Sequence, residues 1–318
     1  MSRVSACSDP PSPLRRSAES LRVAFVGPPV WLDLCLPAGA EGRSLRAAFP
    51  AAEGDPAAVV DAIAGFRPDV SILIDPLSLD PRLLEGIAGV TLAILVGGLP
   101  EPVAGADHVA ALEQLDRVAT FVPALTGEKI GAGYVWRAFP PPVSDRYFRD
   151  VGALRTPPRA MSIGRSTSYR EAMLLPVKHH HDMLQLIHGV SGELLSELLG
   201  RYDVGVYVSR HPRSDFGVQS ALHLAAGQLL FSTPLYPAHG LERDIDYLQF
   251  DSPEGLVWSL QRLGRFPEMY QRVRVRGRMK AERHRASSLF ERIIGDLLDD
   301  VRVFGRGLTT SVPSASGL

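Results

Sequence analysis

RYDVGVYVSRHPRSDFGVQSALHLAAGQLLFST, residues 201–233, is the stretch that decides the fold. Residues 202–209 are rich in β-branched and aromatic side chains (Val204, Val206, Tyr207, Val208), the composition of a strand buried in a parallel sheet. A polar loop follows at 209–215. Residues 216–226 are good or neutral helix formers, and they stop at Gly227, which is suited to the left-handed conformation that closes helices. A second strand then begins at 228. Strand, loop, helix and strand in this order form one unit of a doubly wound sheet. In such sheets ligands gather outside the carboxyl ends of the strands, where the next helix presents free N–H groups to anions. The loop 210–216 is therefore the expected ligand edge.

The 318 residues suffice for two domains with separate cores. Lys and Arg number 34 against 35 Asp and Glu, a net charge of −1, so no bulk attraction to nucleic acid or to an anionic membrane is expected. Two cysteines, Cys7 and Cys35, make neither a disulfide framework nor a zinc site. The expected chemistry uses no thiol, metal or cofactor. Without an apolar run of membrane-spanning length or an apolar leader core, the expectation is a soluble, cytoplasmic protein with no integral membrane segment.

Before the deciding stretch, 1–19 is rich in Ser, Pro and Arg and reads as a disordered lead. Strands are expected at 21–27, 70–74, 90–96 and 118–122, and helices at 56–66, 83–87 and 106–115. This alternation argues for a parallel sheet covered on both faces. Gly27-Pro28-Pro29 is not a dinucleotide fingerprint and reads as a tight turn. The triplet Pro140-Pro141-Pro142 continues neither a central strand nor a helix and marks a domain connection. Domains are thus expected at 20–150 and 151–304, with a small-residue, disordered tail at 305–318.

After the connection, 159–165 is a strand running into Gly164-Arg165. Later helices are expected at 193–199, 256–263, 269–278 and 287–301, with Ser191 and Ser252 as N-caps. Three further features read as structural. Adjacent residues on a helix point about 100° apart, so His179, His180 and His181 do not converge on one metal. His223 reads as a bonded helix residue. The arginines of 272–278 read as a solvated helix face.

Residues 216–233 resemble the nucleotide-sugar segment of GT-B glycosyltransferases of the group 1 type. Phe216, Gly217, Ala225 and Gly227 fall in register with the family's Phe-Gly and Glu-Ala-x-Ala-x-Gly pattern. Further segments are similar in the same order: Asp145-Arg146-Tyr147-Phe148 after the proline turn, Gly164-Arg165 with Arg170 five residues on, Gly240-Leu241-Glu242 as in CgeB-like members, and the helix start at 251–256. The family's lysine is replaced by Arg170, and its two glutamates fall on Ser214 and Leu222.

The resemblance implies a GT-B-like α/β fold with two Rossmann-like domains facing across a cleft, and a final helix that returns to brace the first. It also implies metal-independent transfer of a sugar from a nucleoside diphosphate sugar to an acceptor that the sequence does not identify. Donor-binding candidates are Gly164, Arg165, Arg170, His188, Phe216, Gly217, Val218 and Gln219. Asp215 is the candidate catalytic carboxylate, one position from the missing glutamate. The first domain offers only His108 as a histidine and no evident base. The alternative is a non-catalytic GT-B-like binding protein that has lost the acidic donor residues.

Overall fold

The computed structural model describes residues 21–37, 45–51, 55–99, 105–187, 190–212 and 216–310. The first half alternates β1 (Val23–Gly27), α1 (Pro29–Cys35), β2 (Arg46–Pro50), α2 (Pro56–Phe66), β3 (Val70–Ile74), α3 (Pro81–Glu85), β4 (Val90–Leu95), α4 (Ala106–Leu112) and β5 (Arg117–Thr120). A small antiparallel pair, β6 (Lys129–Ile130) and β7 (Gly133–Tyr134), precedes β8 (Arg137–Ala138). The second half contains β9 (Ala160–Ile163), α5 (Ser168–Lys178), β10 (Met183–Leu186), α6 (Gly192–Arg201), β11 (Val204–Tyr207), α7 (Val218–Ala225), β12 (Leu229–Ser232) and β13 (Leu248–Gln249). Three helices complete it: α8 (Pro253–Arg265), α9 (Gln271–Lys280) and α10 (Ala286–Phe304).

These elements build two parallel sheets. One has the order β2-β1-β3-β4-β5-β8 and the other β10-β9-β11-β12-β13. Strands β1, β3 and β4 are buried along their whole length; their content is apolar apart from Ser71 and Thr91, which are hydrogen-bonded to Ala88 O and to Asp116. Helix α2 starts where Asp55 accepts a hydrogen bond from Ala57 N at 3.0 Å, and Ser252 caps α8 through Gly255 N at 3.1 Å. Gly227 follows α7 with a φ of +71°. The sequence pattern did not disclose α1 and β2: Pro29 occupies the first helical position of α1 instead of extending a turn, where its missing N–H costs nothing.

The chain crosses between the sheets twice, and the crossings are bonded to each other. Val143 N donates to His284 O at 2.7 Å, and Ala286 N donates to Val143 O at 2.9 Å. Asp145 then accepts from Ser287 N at 3.2 Å and Ser287 Oγ at 2.6 Å, so the first crossing caps the helix that follows the second. Helix α10 lays Leu289, Phe290, Ile293, Ile294, Leu297, Leu298 and Val301 against the core beneath β1, β3 and β4. Phe290 meets Phe25 edge to face at 5.0 Å.

Two expectations change here. Residues 305–310 are not a free tail. Arg117 donates to the carbonyls of Gly305 and Gly307, and Asp116 receives Arg306 in two contacts of 2.8 and 2.9 Å plus Gly307 N at 3.1 Å. The small-residue composition suits a chain whose carbonyls are taken by an arginine; residues 311–318 lie outside the described residues. Of the arginines of α9 only Arg272 is a solvated surface residue. Arg274 is buried and donates to the carbonyls of Gly227 and Gly152, Arg276 pairs with Asp246 at 3.1 Å, and Arg278 donates to Arg149 O at 2.7 Å. Arginine, with five donors on a long stem, ties loop carbonyls to the helix from within.

The Arg117–Asp300 pair is the deepest charged contact between α10 and the first sheet: Arg117 is 2 % exposed, and Trp136 Nε1 also donates to Asp300 at 3.1 Å. Asp300→Ala should cost about 3–5 kcal/mol in urea unfolding, because it leaves a guanidinium buried without its partner. A loss below ~1 kcal/mol would show that water reaches Arg117.

Candidate functional site

Both sheets run 2-1-3-4-5 in the order of their first five strands, so each reverses direction once: between β1 and β3, and between β9 and β11. Outside the carboxyl ends of the strands, such a reversal opens a crevice, because the two connections leave in opposite directions.

At the second reversal, the loop after β9 and the loop after β11 are held together. Thr167 caps α5 by accepting Arg170 N at 3.2 Å, and its hydroxyl donates to Arg210 O at 3.1 Å. Arg170 is buried. Its Nε donates to Val208 O at 2.8 Å and its Nη1 to Arg165 O at 2.9 Å, and it lies 6.0 Å from the Tyr207 ring centroid. Burial lowers its pKa. Gly164, with φ +139°, makes room for this guanidinium, since a Cβ there would collide with Nη1. Arg170 thus fixes the loop from below. Arg165 and Arg210 are exposed, and neither has an ion-pair partner among the described residues. Arg210 carries charge to this edge and was not singled out in the sequence; its signal is only its place on the polar loop.

The amino end of α7 starts against Tyr207, the last residue of β11. A Cβ on Gly217 would stand 2.5 Å from Tyr207 Oη, so only glycine lets the helix start this close to β11. Val218 is buried and Gln219 half-buried. Ser220, wholly buried one turn in, has a hydroxyl without a hydrogen-bond partner among the described residues. Asp215, Ser214 and His188 lie outside the described residues.

Phe216 faces the crossing instead of the loop edge. It stacks on His284 at 5.4 Å and 9°, and meets His239 edge to face at 4.8 Å. His284 Nδ1 bonds Pro141 O at 2.9 Å. Phe216 therefore anchors α7 to the two crossings. Leu222, where the family's second glutamate would fall, is 0 % exposed inside the core of the second domain. His223 is likewise buried, with Nδ1 2.6 Å from Gln228 Oε1, a structural position. Helix α5 ends at Lys178, ahead of the three consecutive histidines, and no metal-holding group of His, Cys, Asp or Glu occurs among the described residues.

At the first reversal stands Asp75, immediately after β3, in the left-handed conformation with φ 56° and ψ 55°. Trp31 of α1 donates its indole N–H to Asp75 Oδ2 at 3.1 Å. Trp31 packs against the cores of both domains, so this carboxylate lies where the domains face each other. Two residues after Trp31, Asp33 reaches the first crossing and the second domain, accepting from Arg146 at 3.2 Å, the Tyr147 hydroxyl and Gly192 N at 3.0 Å. His108 Nε2 is occupied by Leu79 O at 2.9 Å.

Comparison with known proteins adds the fold class. No protein-family model matches the sequence, and no curated protein matches it. Among solved structures, sucrose-phosphate synthase from Thermosynechococcus elongatus superposes with a TM-score of 0.61 at 13 % identity, covering 90 % of each chain. HepE from Anabaena in complex with UDP covers 88 % of this chain and 100 % of its own, at 9 % identity and a TM-score of 0.54. An α-glucosyltransferase in complex with UDP covers 87 % and 100 %, at 12 % and 0.58. The architecture is therefore that of GT-B glycosyltransferases, two Rossmann-like domains facing across a cleft. No helix of the described residues is long and apolar enough to cross a membrane.

Two outcomes follow from the burial of these groups. Leu222→Glu should lose about 4 kcal/mol or more, or fail to fold, because a carboxylate there has no partner; near-native stability by urea titration would contradict its place in the core. Burial pushes the pKa of His223 and of His284 down to about 4. The unfolded chain protonates imidazoles near the ordinary value of about 6.5. Stability present above that value should thus fall as pH drops toward 4, by up to about 3 kcal/mol per histidine. His284→Gln should flatten part of the slope in a series of melts at different pH, and an unchanged slope would contradict the assignment.

Proposed function

We propose that the protein transfers a sugar from a nucleoside diphosphate sugar to an acceptor bound on the first domain. The observation that supports this reading is the β9/β11 reversal itself, where Thr167 ties the loop that carries Arg165 to Arg210, and α7 starts with Gly217 against Tyr207. Arg165 and Arg210 would take the diphosphate oxygens, with the N–H groups of Gly217, Val218 and Gln219 completing the anion site. Gly164 and Arg170 would hold that edge in shape. Charge growing on the departing diphosphate would be met by these fixed donors, so the reading calls for no metal. Asp215 remains the proposed acidic contact to the donor's hydroxyls, and His188 a proposed contact near its base. The group 1 and CgeB-like similarity supports the donor class.

A second reading, a GT-B-like protein that binds a nucleotide without turnover, is favoured by Leu222. A core leucine in place of the family's glutamate removes one carboxylate that would hydrogen-bond the donor.

The experiment is a panel of UDP-, GDP- and dTDP-sugars followed by calorimetry and by release of the diphosphate. Arg165→Ala should raise the dissociation constant about tenfold with an unchanged melting curve, as expected for one charge-assisted hydrogen bond. Arg170→Met should instead destabilise by about 1–3 kcal/mol for each carbonyl left unpaired. Binding without release selects the second reading. Absence of both rejects the donor site.

A further inference from the structure

Helix α8 packs Leu256, Leu260 and Leu263 into the second domain and turns a different set of side chains outward. Trp258 is 58 % exposed, Phe266 47 % and Met269 55 %. The fold gives no reason for three large apolar side chains on the outer face of one helix and in the turn after it. Trp258, Gln261, Arg262, Arg265 and Phe266 line one notch of about 280 Å³, and the Arg262 guanidinium lies 5.2 Å from the Trp258 ring centroid. From 256 to 272 the exposed charged residues are Arg262, Arg265, Glu268 and Arg272, and none of the three arginines has an ion-pair partner among the described residues. Arg262 and Arg265 fall in the last turn of α8, where the negative helix end accounts for positive charge. It does not account for the indole, the phenyl ring and the thioether beside them.

The chemistry of this face selects among occupants. The notch is below the roughly 300–1,000 Å³ of small-molecule sites and open to solvent, so such a ligand would keep much of its surface in water. A second copy docked about a twofold axis would set Arg262 and Arg265 against their own counterparts. The boundary of an anionic bilayer meets both requirements: indole rings settle at headgroup level, and arginines lay their stems on apolar surface while the charge stays beside lipid phosphate. We infer that the outer face of α8 and the turn after it, Trp258 to Met269, dock the protein on an anionic lipid surface. Trp258, Phe266 and Met269 enter the headgroup boundary, and Arg262 and Arg265 meet the phosphates. The attraction is local, since the whole chain carries a net charge of −1. The last turn of α8 lies by Pro158, ahead of β9, since a Cβ on Gly264 would stand 4.0 Å from Pro158 Cδ. That is the amino end of the strands, opposite the loops that carry Arg165 and Gly217, so a docked chain keeps that edge open. Docking is independent of what the edge binds.

The test mixes the full chain with vesicles of phosphatidylcholine alone, or of phosphatidylcholine and phosphatidylglycerol in equal parts, and follows co-sedimentation and tryptophan emission. Binding to the anionic vesicles should be at least ~tenfold tighter than to the neutral ones. Salt at about 1 M, where the screening length is ~3 Å, should remove most of that difference. Of the three tryptophans, Trp136 is buried and Trp31 half-buried, so a blue shift on binding reports Trp258. Trp258→Phe should lose the shift and keep most of the binding. Arg262→Gln with Arg265→Gln should weaken binding about 25-fold, roughly fivefold for each arginine, with an unchanged melting curve. Phe266→Ser with Met269→Ser should weaken it at least ~tenfold. Release of the bound chain by excess glycerol phosphate would mark a site for free phosphate and overturn docking on a bilayer. Equal binding to both kinds of vesicle, or binding that survives loss of the two arginines, overturns it as well. Binding to neither overturns it and leaves an acidic protein as the occupant of this face.

Discussion

The structure depends on the bond between its two crossings. A chain that builds two sheets in sequence has one covalent link between them and would leave them free to swivel. Here the return of α10 adds a second link, and the Val143 hydrogen bonds to His284 and Ala286 join the two into a short pair of parallel segments. Asp145 caps α10, Pro141 receives His284, and Phe216 stacks on that histidine. The start of α7, on which the proposed donor edge rests, is thus fixed to the point where the two crossings meet. Any movement that closes the cleft must bend this point or slide along it.

Chemistry at the two reversals is divided in a way that follows from this geometry. The second domain presents two exposed arginines whose backbone carbonyls are held, that of Arg165 by Arg170 and that of Arg210 by Thr167. The first supplies a carboxylate held by an indole. Asp33 spans the gap by capping the first turn of α6, so the two faces already touch there. An anion bound at the α7 end would meet donors that need little rearrangement, which is the condition under which electrostatic stabilisation is largest.

Much of the fold was legible because its strands are buried runs with unmistakable composition: Val70–Ile74, Val90–Leu95 and Leu229–Ser232. The return of α10 was legible from its apolar spacing and the family likeness. What could not be read was where polar side chains turn. Arg165 and Arg170 are equivalent in sequence, five residues apart, yet one is exposed and the other feeds two carbonyls. Residues 305–310 are poor in apolar groups, and nothing local tells that Arg117, far away in sequence, will hold them. Asp75 was silent for the same reason: a lone aspartate after a strand resembles any turn residue until Trp31 and the strand order are known. Helix α1 was hidden because two prolines usually announce a turn.

The central claim is that a nucleotide diphosphate binds at the β9/β11 reversal. Amide hydrogen exchange of the whole chain, with and without saturating UDP, GDP or dTDP, addresses it directly. The account predicts slowed exchange in residues 164–167 and 217–220 with at least one of the three nucleotides. Unchanged exchange there with all three, or protection confined to another surface such as Trp258 to Phe266 on α8, would contradict it.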